Sequence, residues 1–364
     1  MTIMIRPLQT GDRKSLRHLF RRSFNWLKLP FLPAHPPGFV AIQREHICGG
    51  IVINIFPLPE GRGGSILALA TAPEVRGQGV GQRLVEAALD YLQDHGCCQI
   101  LTCVEGHNTS SSQQFATRGF QVLSLGQQLR VYGWRLPYVW YKTGHLGDLG
   151  HLLWCQGVDH PPGRLEPAWL ISGLGNGLVM ALILWRRESA DFLNWPDLAL
   201  VVLLVAGVVG LREAGMAGVA RWRGIATRHY GWESGSLIAI LMALVFRGFF
   251  PVPGNRYPAQ AVWRYRDMRS QLGWIALGGI IPVLLLIYGC SWGLRMDLSD
   301  PARDWLQLAY ITARLLVGWD ALVPFFPFNC FNSRRLWQWH PGIWAGVAIL
   351  VVLAISLANP STAI

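Results

Sequence analysis

Two hydrophobic rhythms divide the 364-residue chain. From Met1 to about His145, short apolar runs alternate with polar turns, whereas from Pro167 onward long apolar runs follow one another with charge mainly between them. The first stretch reads as a soluble domain and the second as a set of membrane helices. Between them, residues 146–166 are rich in Gly, His and Pro and read as a linker, which sets the expected domains at 1–145 and 167–364.

Within the first stretch, "IMIRPL" has the character of a short strand. Asp12 then stands where a cap would open a helix whose Leu16, Leu19, Phe20, Phe24 and Leu27 recur at helical spacing. The opposite face carries Arg13, Lys14, Arg17, Arg21 and Lys28, which suits either a solvated face or one resting on phospholipid headgroups. The prolines of "LPFLPAHPPG" end the helical pattern in a loop. "GFVAIQRE", "ICGGIVINIFPL" and "SILALATA" follow as strands, the first two close enough for a hairpin and the last two divided by the turn "EGRGG". Next, "APEVRGQGVGQRLVEAALDYLQDHG" runs from a glycine turn into a helix with Leu84, Ala87, Ala88, Tyr91 and Leu92 on one face, and "QILTCVE" supplies another strand.

Charge and cysteine content narrow the setting. The formal net charge of +11 is nearly all Arg in loops between apolar runs, which fits anchoring against an anionic membrane face better than nucleic-acid binding. The 7 cysteines form no C-x-x-C pair and no framework, as expected of reduced thiols facing the cytosol. "MTIMIRPLQTGD" lacks a charged leader, apolar core and cleavage site, so no removable signal peptide is expected. His145, His151 and His160 are not spaced for one helix face and read as solvated or interfacial. The 17 Trp fit interfacial belts and packing.

Gly77, Gly79 and Gly81 leave backbone amides uncovered just before a helix N-terminus, a place that holds anions such as pyrophosphate. A P-loop would need Lys and then Ser or Thr after the last glycine, where Gln82 and Arg83 stand, and the dinucleotide fingerprint would need a glycine at Gln82. The pattern R-G-x-G-x-G after a strand ending in x-P, followed by "QILTCVE" and "NTSSSQQFATRGF", resembles the GCN5-related N-acetyltransferase (GNAT) superfamily over roughly the first 145 residues. The resemblance implies an α+β domain with a mixed, mostly antiparallel sheet flanked by helices. It also implies acetyl-CoA or another acyl-CoA as cosubstrate, its pyrophosphate on the amides of Arg76, Gly77, Gln78, Gly79, Val80 and Gly81 and its pantetheine beside Leu69 and Thr71. Asn108 and Phe115 complete that set. Phe115 stands where the family often has a Tyr that protonates the leaving thiolate, and Glu105 is the candidate base for the incoming amine.

In the second stretch, Trp169–Trp185, Leu198–Trp222, Leu272–Leu294, Trp305–Phe326 and Gly342–Leu357 are long enough to span a bilayer. A shorter sixth, "GSLIAILMALVFRGFF", is interrupted by Arg247 and ended by "PVPG"; it either spans, which would put the basic loop "NRYPAQAVWRYRDMRSQ" outside, or is re-entrant, which is the preferred reading. With it re-entrant, the Arg-rich loops face the cytosol with the first domain, and the C-terminus lies on the opposite side. "REAGMAGVARWRG" occupies the frame of an H-E-x-x-H helix, and "VPFFPFNCFNSRRLW" that of a later ligand segment. Together with "VPGNRYP" and "GWIALGGIIP" they resemble the site-2 protease family of intramembrane zinc metalloproteases (peptidase M50).

At the positions of that family's metal ligands stand Arg212, Met216 and Asn332, none a good zinc ligand, while Glu213 is retained. No zinc is expected. Arg212 is read either as supplying the positive charge that a metal would have given Glu213 or, because adjacent helix positions do not face each other, as one of two residues that each take a different acidic or basic partner. The chain is therefore expected to be a membrane-anchored N-acyltransferase with a proteolytically inactive, protease-like, all-α polytopic membrane domain. Its partners would be the lipid bilayer, an acyl-CoA, an amine acceptor and, in one reading, a membrane protein. The alternative is a non-catalytic pseudoprotease scaffold whose GNAT-like domain serves as a sensor or interaction module.

Overall fold

A computed structural model describes residues 3–23, 36–147, 150–158, 168–187, 195–325 and 330–356. The chain forms two units, Met1–Arg164 and Leu165–Ile364.

The first unit is built on a seven-stranded sheet of β1 (Met4–Pro7), β2 (Gly38–Gln43), β3 (His46–Leu58), β4 (Gly61–Thr71), β5 (Cys97–Glu105), β6 (Gln121–Val122) and β7 (His151–Gln156). Its order is β1-β2-β3-β4-β5-β7-β6, and only the β4–β5 pair is parallel. The last strand corrects the expected linker at 146–166. "HLLWCQ" is a short apolar run whose Leu152, Leu153, Trp154 and Cys155 are buried beside β5, and the Gly, His and Pro around it hide it in the composition.

Five helices flank the sheet: α1 (Arg13–Ser23), α2 (Val80–Asp94), α3 (Thr109–Ala116), α4 (Leu125–Tyr132) and α5 (Leu136–Thr143). Successive strand residues face opposite sides. Gly49 of β3 accordingly lies against Val80 and Leu84 of α2, and Gly50 against Leu16 of α1. α4 and α5 cover Leu101, Leu153 and Cys155 with Tyr132, Leu136, Val139 and Trp140. α1 buries Leu16, Leu19 and Phe20 as its spacing predicts, while Phe24, Leu27, Lys28 and most of the proline loop lie outside the described residues. Asp12 does not sit at the cap position. A 3-10 turn over Thr10–Asp12 precedes α1, and the Asp12 carboxylate instead accepts the Gln9 backbone N–H at 2.8 Å.

The second unit contains α6 (Ala168–Arg187), α7 (Trp195–Trp222), α8 (Glu233–Phe246), α9 (Tyr265–Gly293), α10 (Asp300–Leu322), α11 (Asn332–Trp339) and α12 (Pro341–Ser356). Set among these helices is the short antiparallel pair β8 (Thr227–Tyr230) and β9 (Asn255–Pro258), the latter formed by the "VPGNRYP" segment. α6, α7 and α9 are long and apolar enough to cross a membrane, and α8 and α12 are shorter apolar helices. α10 carries Arg303, Asp304, Arg314 and Asp320 along its length. The expected span ends at Phe326 and Leu357 lie outside the described residues.

Small residues let these helices approach closely. A Cβ on Gly215 of α7 would collide with Gly278 and come within 2.8 Å of Pro282 on α9. The core beneath is apolar, with Val208, Ile280, Ile287, Leu316 and Leu336 among its members.

Candidate functional site

β4 and β5 part company midway. Their parallel ladder runs from Arg62↔Cys97 to Ile66↔Thr102 and stops, although β4 continues to Thr71 and β5 to Glu105. On the far sides pairing persists, with β3 up to Gly49↔Thr71 and with β7 up to Glu105↔His151. The sheet therefore opens in a V between two otherwise continuous halves. A bulge in the β3–β4 register, falling between Val52↔Ala68 and Ile53↔Ile66, coincides with the point of separation. Bulges bend and twist a strand, and this one turns β4 away from its neighbour. The residues that follow it include Leu69 and Thr71, both half-buried, and among the described residues the backbone groups on that side of β4 have no strand partner there.

At the end of β4 the chain makes a 3-10 turn over Pro73–Val75 and enters α2 through Gly79, its N-cap. Gly77 and Gly79 have φ of 77° and 75°, a left-handed conformation that favours glycine. Among the described residues, nothing beyond its own chain neighbours lies within 4 Å of where a Cβ on Gly77 would be, and Gly79 would meet Gln82 at 3.8 Å, so the turn presents bare backbone. Gly81 lies closer in, against Gln114 of α3. The first amides of a helix have no intrahelical acceptor and carry partial positive charge. Val80 and Gly81 are such residues here. The side chains of Arg76 and Gln78 fold back onto the carbonyls of Thr71 and Glu74, at 3.4 and 3.0 Å, leaving the outer side of the loop to the backbone. A bare glycine turn, a helix N-terminus and an open strand edge together fit a long cosubstrate with a pyrophosphate and an amide-bearing arm.

Of the remaining residues picked out by sequence, Asn108 caps α3, its Oδ1 accepting the Ser111 N–H at 3.2 Å. Phe115 is buried and packs edge-on against Phe120 at 5.2 Å between centroids. Glu105 is the half-buried last residue of β5. Sequence reasoning missed a further pair. Cys103 is the first β5 residue beyond the ladder to β4, and its Sγ lies 3.4 Å from Nδ1 of His145. His145 is fully buried behind the C-terminus of α5 and packs on Trp140, contrary to the solvated role expected of it. A separation of 42 positions leaves no local signal for the pair in the sequence.

The second unit gathers a buried polar cluster around α7. Arg212 is 1% exposed and makes two hydrogen bonds to Asp320 of α10, at 2.8 and 2.9 Å. Glu213 pairs with Arg256 of β9, and Nδ1 of His229 on β8 stands 3.0 Å from its carboxylate. Of the two expected alternatives, the second holds: successive helix residues diverge, and Arg212 and Glu213 each take partners from different elements. Asn332 donates to Asp320 through its backbone N–H and its amide, at 3.1 and 2.8 Å, and its amide nitrogen is 3.8 Å from the sulfur of Met216. Thus Arg212, Met216 and Asn332 converge although 120 residues of sequence span them. Among the described residues no three His, Cys, Asp or Glu side chains gather as a metal site. The Asp within the otherwise apolar stretch "VGWDALVP" at the end of α10 was the available signal for the partner of Arg212.

Residues 5–120 match the sequence model of the Acetyltransferase (GNAT) family. No curated protein matches the chain. Among solved structures, similarity extends to the ribosomal-protein-S18-alanine N-acetyltransferase from Escherichia coli, with 14% identity over 45% of this chain and 99% of that one and a TM-score of 0.32. A chain of the NatC complex bound to Gag peptide and CoA has 17% identity, covers 44% of this chain and 100% of its own and has a TM-score of 0.32. N-acetylglutamate synthase from Neisseria gonorrhoeae, complexed with coenzyme A and N-acetyl-glutamate, has 19% identity over 44% of this chain but only 36% of its own, with a TM-score of 0.32.

Proposed function

From the premise that the first unit is a GNAT acetyltransferase domain, we propose that the chain is a membrane-anchored N-acyltransferase, moving an acetyl or other acyl group from acyl-CoA to an amine on the cytosolic side. The V between β4 and β5, opening beside the bare turn at Gly77 and Gly79, carries this reading. The amides of residues 76–81 hold the pyrophosphate, the free edge of β4 at Leu69 and Thr71 hydrogen-bonds the pantetheine, and Glu105 takes the proton of the incoming ammonium. Phe115 contributes shape and no proton.

In the second unit, the convergence of Arg212, Met216 and Asn332 supports a protease-like scaffold in which an ion pair stands where a metal would. Proteolysis is not part of this function, because a guanidinium and a thioether cannot hold and activate a zinc-bound water. A second reading, a non-catalytic scaffold that holds a membrane protein, draws on Phe115 and on the closed Arg212–Asp320 cluster. Crosslinking in membranes would then trap one partner whatever the state of the CoA site.

The deciding experiment is titration of acetyl-CoA into the full-length protein in detergent, alongside Gly79→Asp and Gly81→Asp. A carboxylate in the anion site should weaken binding at least tenfold, about 1.4 kcal/mol. Absence of binding by folded wild-type protein overturns the acyltransferase reading.

A further inference from the structure

Acyl transfer from CoA needs a group that protonates the departing thiolate, and Phe115 has no hydroxyl to do so. Cys103 and His145 stand where such a group is needed. The side chain of Cys103 belongs, with those of Leu101 and Glu105, to the sheet face opposite α2, since strand residues two apart share a face. The residue lies one position past the last β4–β5 pair, at the mouth of the V, and is half-buried. Its Sγ is 3.8 Å from the Thr143 carbonyl and 3.4 Å from Nδ1 of His145.

His145 is fixed from several sides. α5 ends in Gly144 with φ 72°, a left-handed cap that reverses the chain and returns His145 toward the sheet. Trp140 packs on the ring at 5.8 Å. The Lys142 carbonyl accepts hydrogen bonds from Asn54 on β3 and Ser65 on β4, both at 3.2 Å, which fastens the end of α5 under the sheet. A thiol in contact with an imbedded imidazole is the arrangement that activates a cysteine as nucleophile.

We propose that Cys103 is an acyl acceptor and that transfer proceeds in two steps through an S-acyl Cys103, with His145 as its proton carrier. This rests on the acyl-CoA reading of the same cleft. In the first step His145 Nδ1 takes the thiol proton, and the Cys103 sulfur forms a bond to the thioester carbonyl carbon. The bond from that carbon to the CoA sulfur breaks, and His145 returns the proton to the CoA thiolate. One thioester replaces another, so no oxidant or further reactant is consumed. In the second step a neutral amine attacks the S-acyl carbon, the carbon–sulfur bond of Cys103 breaks, and a proton of the amine passes to the thiolate through His145. His145 thus supplies the acid that Phe115 lacks.

The test is incubation of the full-length protein in detergent with radiolabelled acetyl-CoA and no amine, an acid quench, and peptide mapping, with acetyl-CoA binding measured on the same preparation. The expected result is one acetyl group on Cys103, released by hydroxylamine as a thioester. Label should be absent in Cys103→Ala and should form roughly 10²-fold more slowly in His145→Gln, with acetyl-CoA binding retained in both. Binding and amine acetylation that persist in Cys103→Ala, with Cys103 unlabelled in wild type, overturn the relay and leave the acyltransferase reading intact. Label confined to the exposed Cys98 also overturns it, as uncatalysed exchange. If wild-type protein does not bind acetyl-CoA, both readings fall together.

Discussion

Arg6 and Asp12 tie the first strand to the turn before α1. Two hydrogen bonds, at 2.6 and 2.8 Å, join guanidinium and carboxylate, and the Gln9 N–H adds a third. The bonds from Arg6 hold the Asp12 carboxyl below the usual carboxylate range. A carboxyl depressed in the folded state stabilises it above the unfolded value of about 3.9, and that contribution is lost as pH falls below about 4. Asp12→Asn should therefore cost about 1 kcal/mol at pH 7 and less near pH 2. Urea unfolding read by pyridyl-disulfide labelling of buried Cys48, a chemistry that works in acid, measures both values. An unchanged difference at the two pH values would refute the ionic origin. At this scale the sequence was readable where chemistry is local. Gly77 and Gly79 declare a left-handed turn within three positions, whereas the role of Asp12 depended on where the chain bends and the Cys103–His145 contact on how α5 docks.

Between elements, a buried ion pair, Arg212–Asp320, joins α7 to α10 beside the apolar core that both helices line. Removing one partner leaves the other charge without its counter-ion in an apolar setting, at a cost of about 3–5 kcal/mol. Asp320→Asn should do this to Arg212, and Arg212→Met to Asp320. The double variant Arg212→Met with Asp320→Leu should be less damaged than either single, because no charge is stranded. A residual loss of about 1–3 kcal/mol is expected, since Asn332 donates its backbone N–H and its amide to Asp320 and would lose both acceptors. Thermal inactivation of the detergent-solubilised chain, read as a double-mutant cycle, checks the order. Additive losses would mean that the pair is not the unit of stability.

The apolar helices around this pair were legible from length and hydropathy alone, which is why α6, α7 and α9 match expected spans. β7 was not. A six-residue strand inserted between β5 and β6 from the far end of the domain is specified by a sheet edge elsewhere in the chain, and its Gly-rich flanks imitate a linker.

For the molecule as a whole, the proposed function joins two properties: a domain proposed to draw on a soluble thioester, and helices whose apolar surface water solvates poorly. α6, α7 and α9 expose Leu178, Leu203 and Leu285 at 61–66%, large apolar surface of a kind that lipid or detergent covers. The chain should stay with the membrane pellet in alkaline carbonate and release only into detergent, since spanning helices are inserted effectively irreversibly and a basic surface held by charge is not. Chelation then separates the two units chemically. Because Arg212, Asp320 and Asn332 already satisfy one another around Met216, EDTA should change neither the thermal stability of the purified protein nor its acetyl transfer, and metal analysis should find zinc far below one ion per chain. A structural zinc is worth about 10–16 kcal/mol of folding free energy in small domains, so one present here would announce itself as a large loss of stability on chelation. Such a loss would overturn the metal-free scaffold while leaving the glycine turn and the V of the first unit untouched, and carbonate-soluble protein would remove the anchor on which the cytosolic assignment of that site depends.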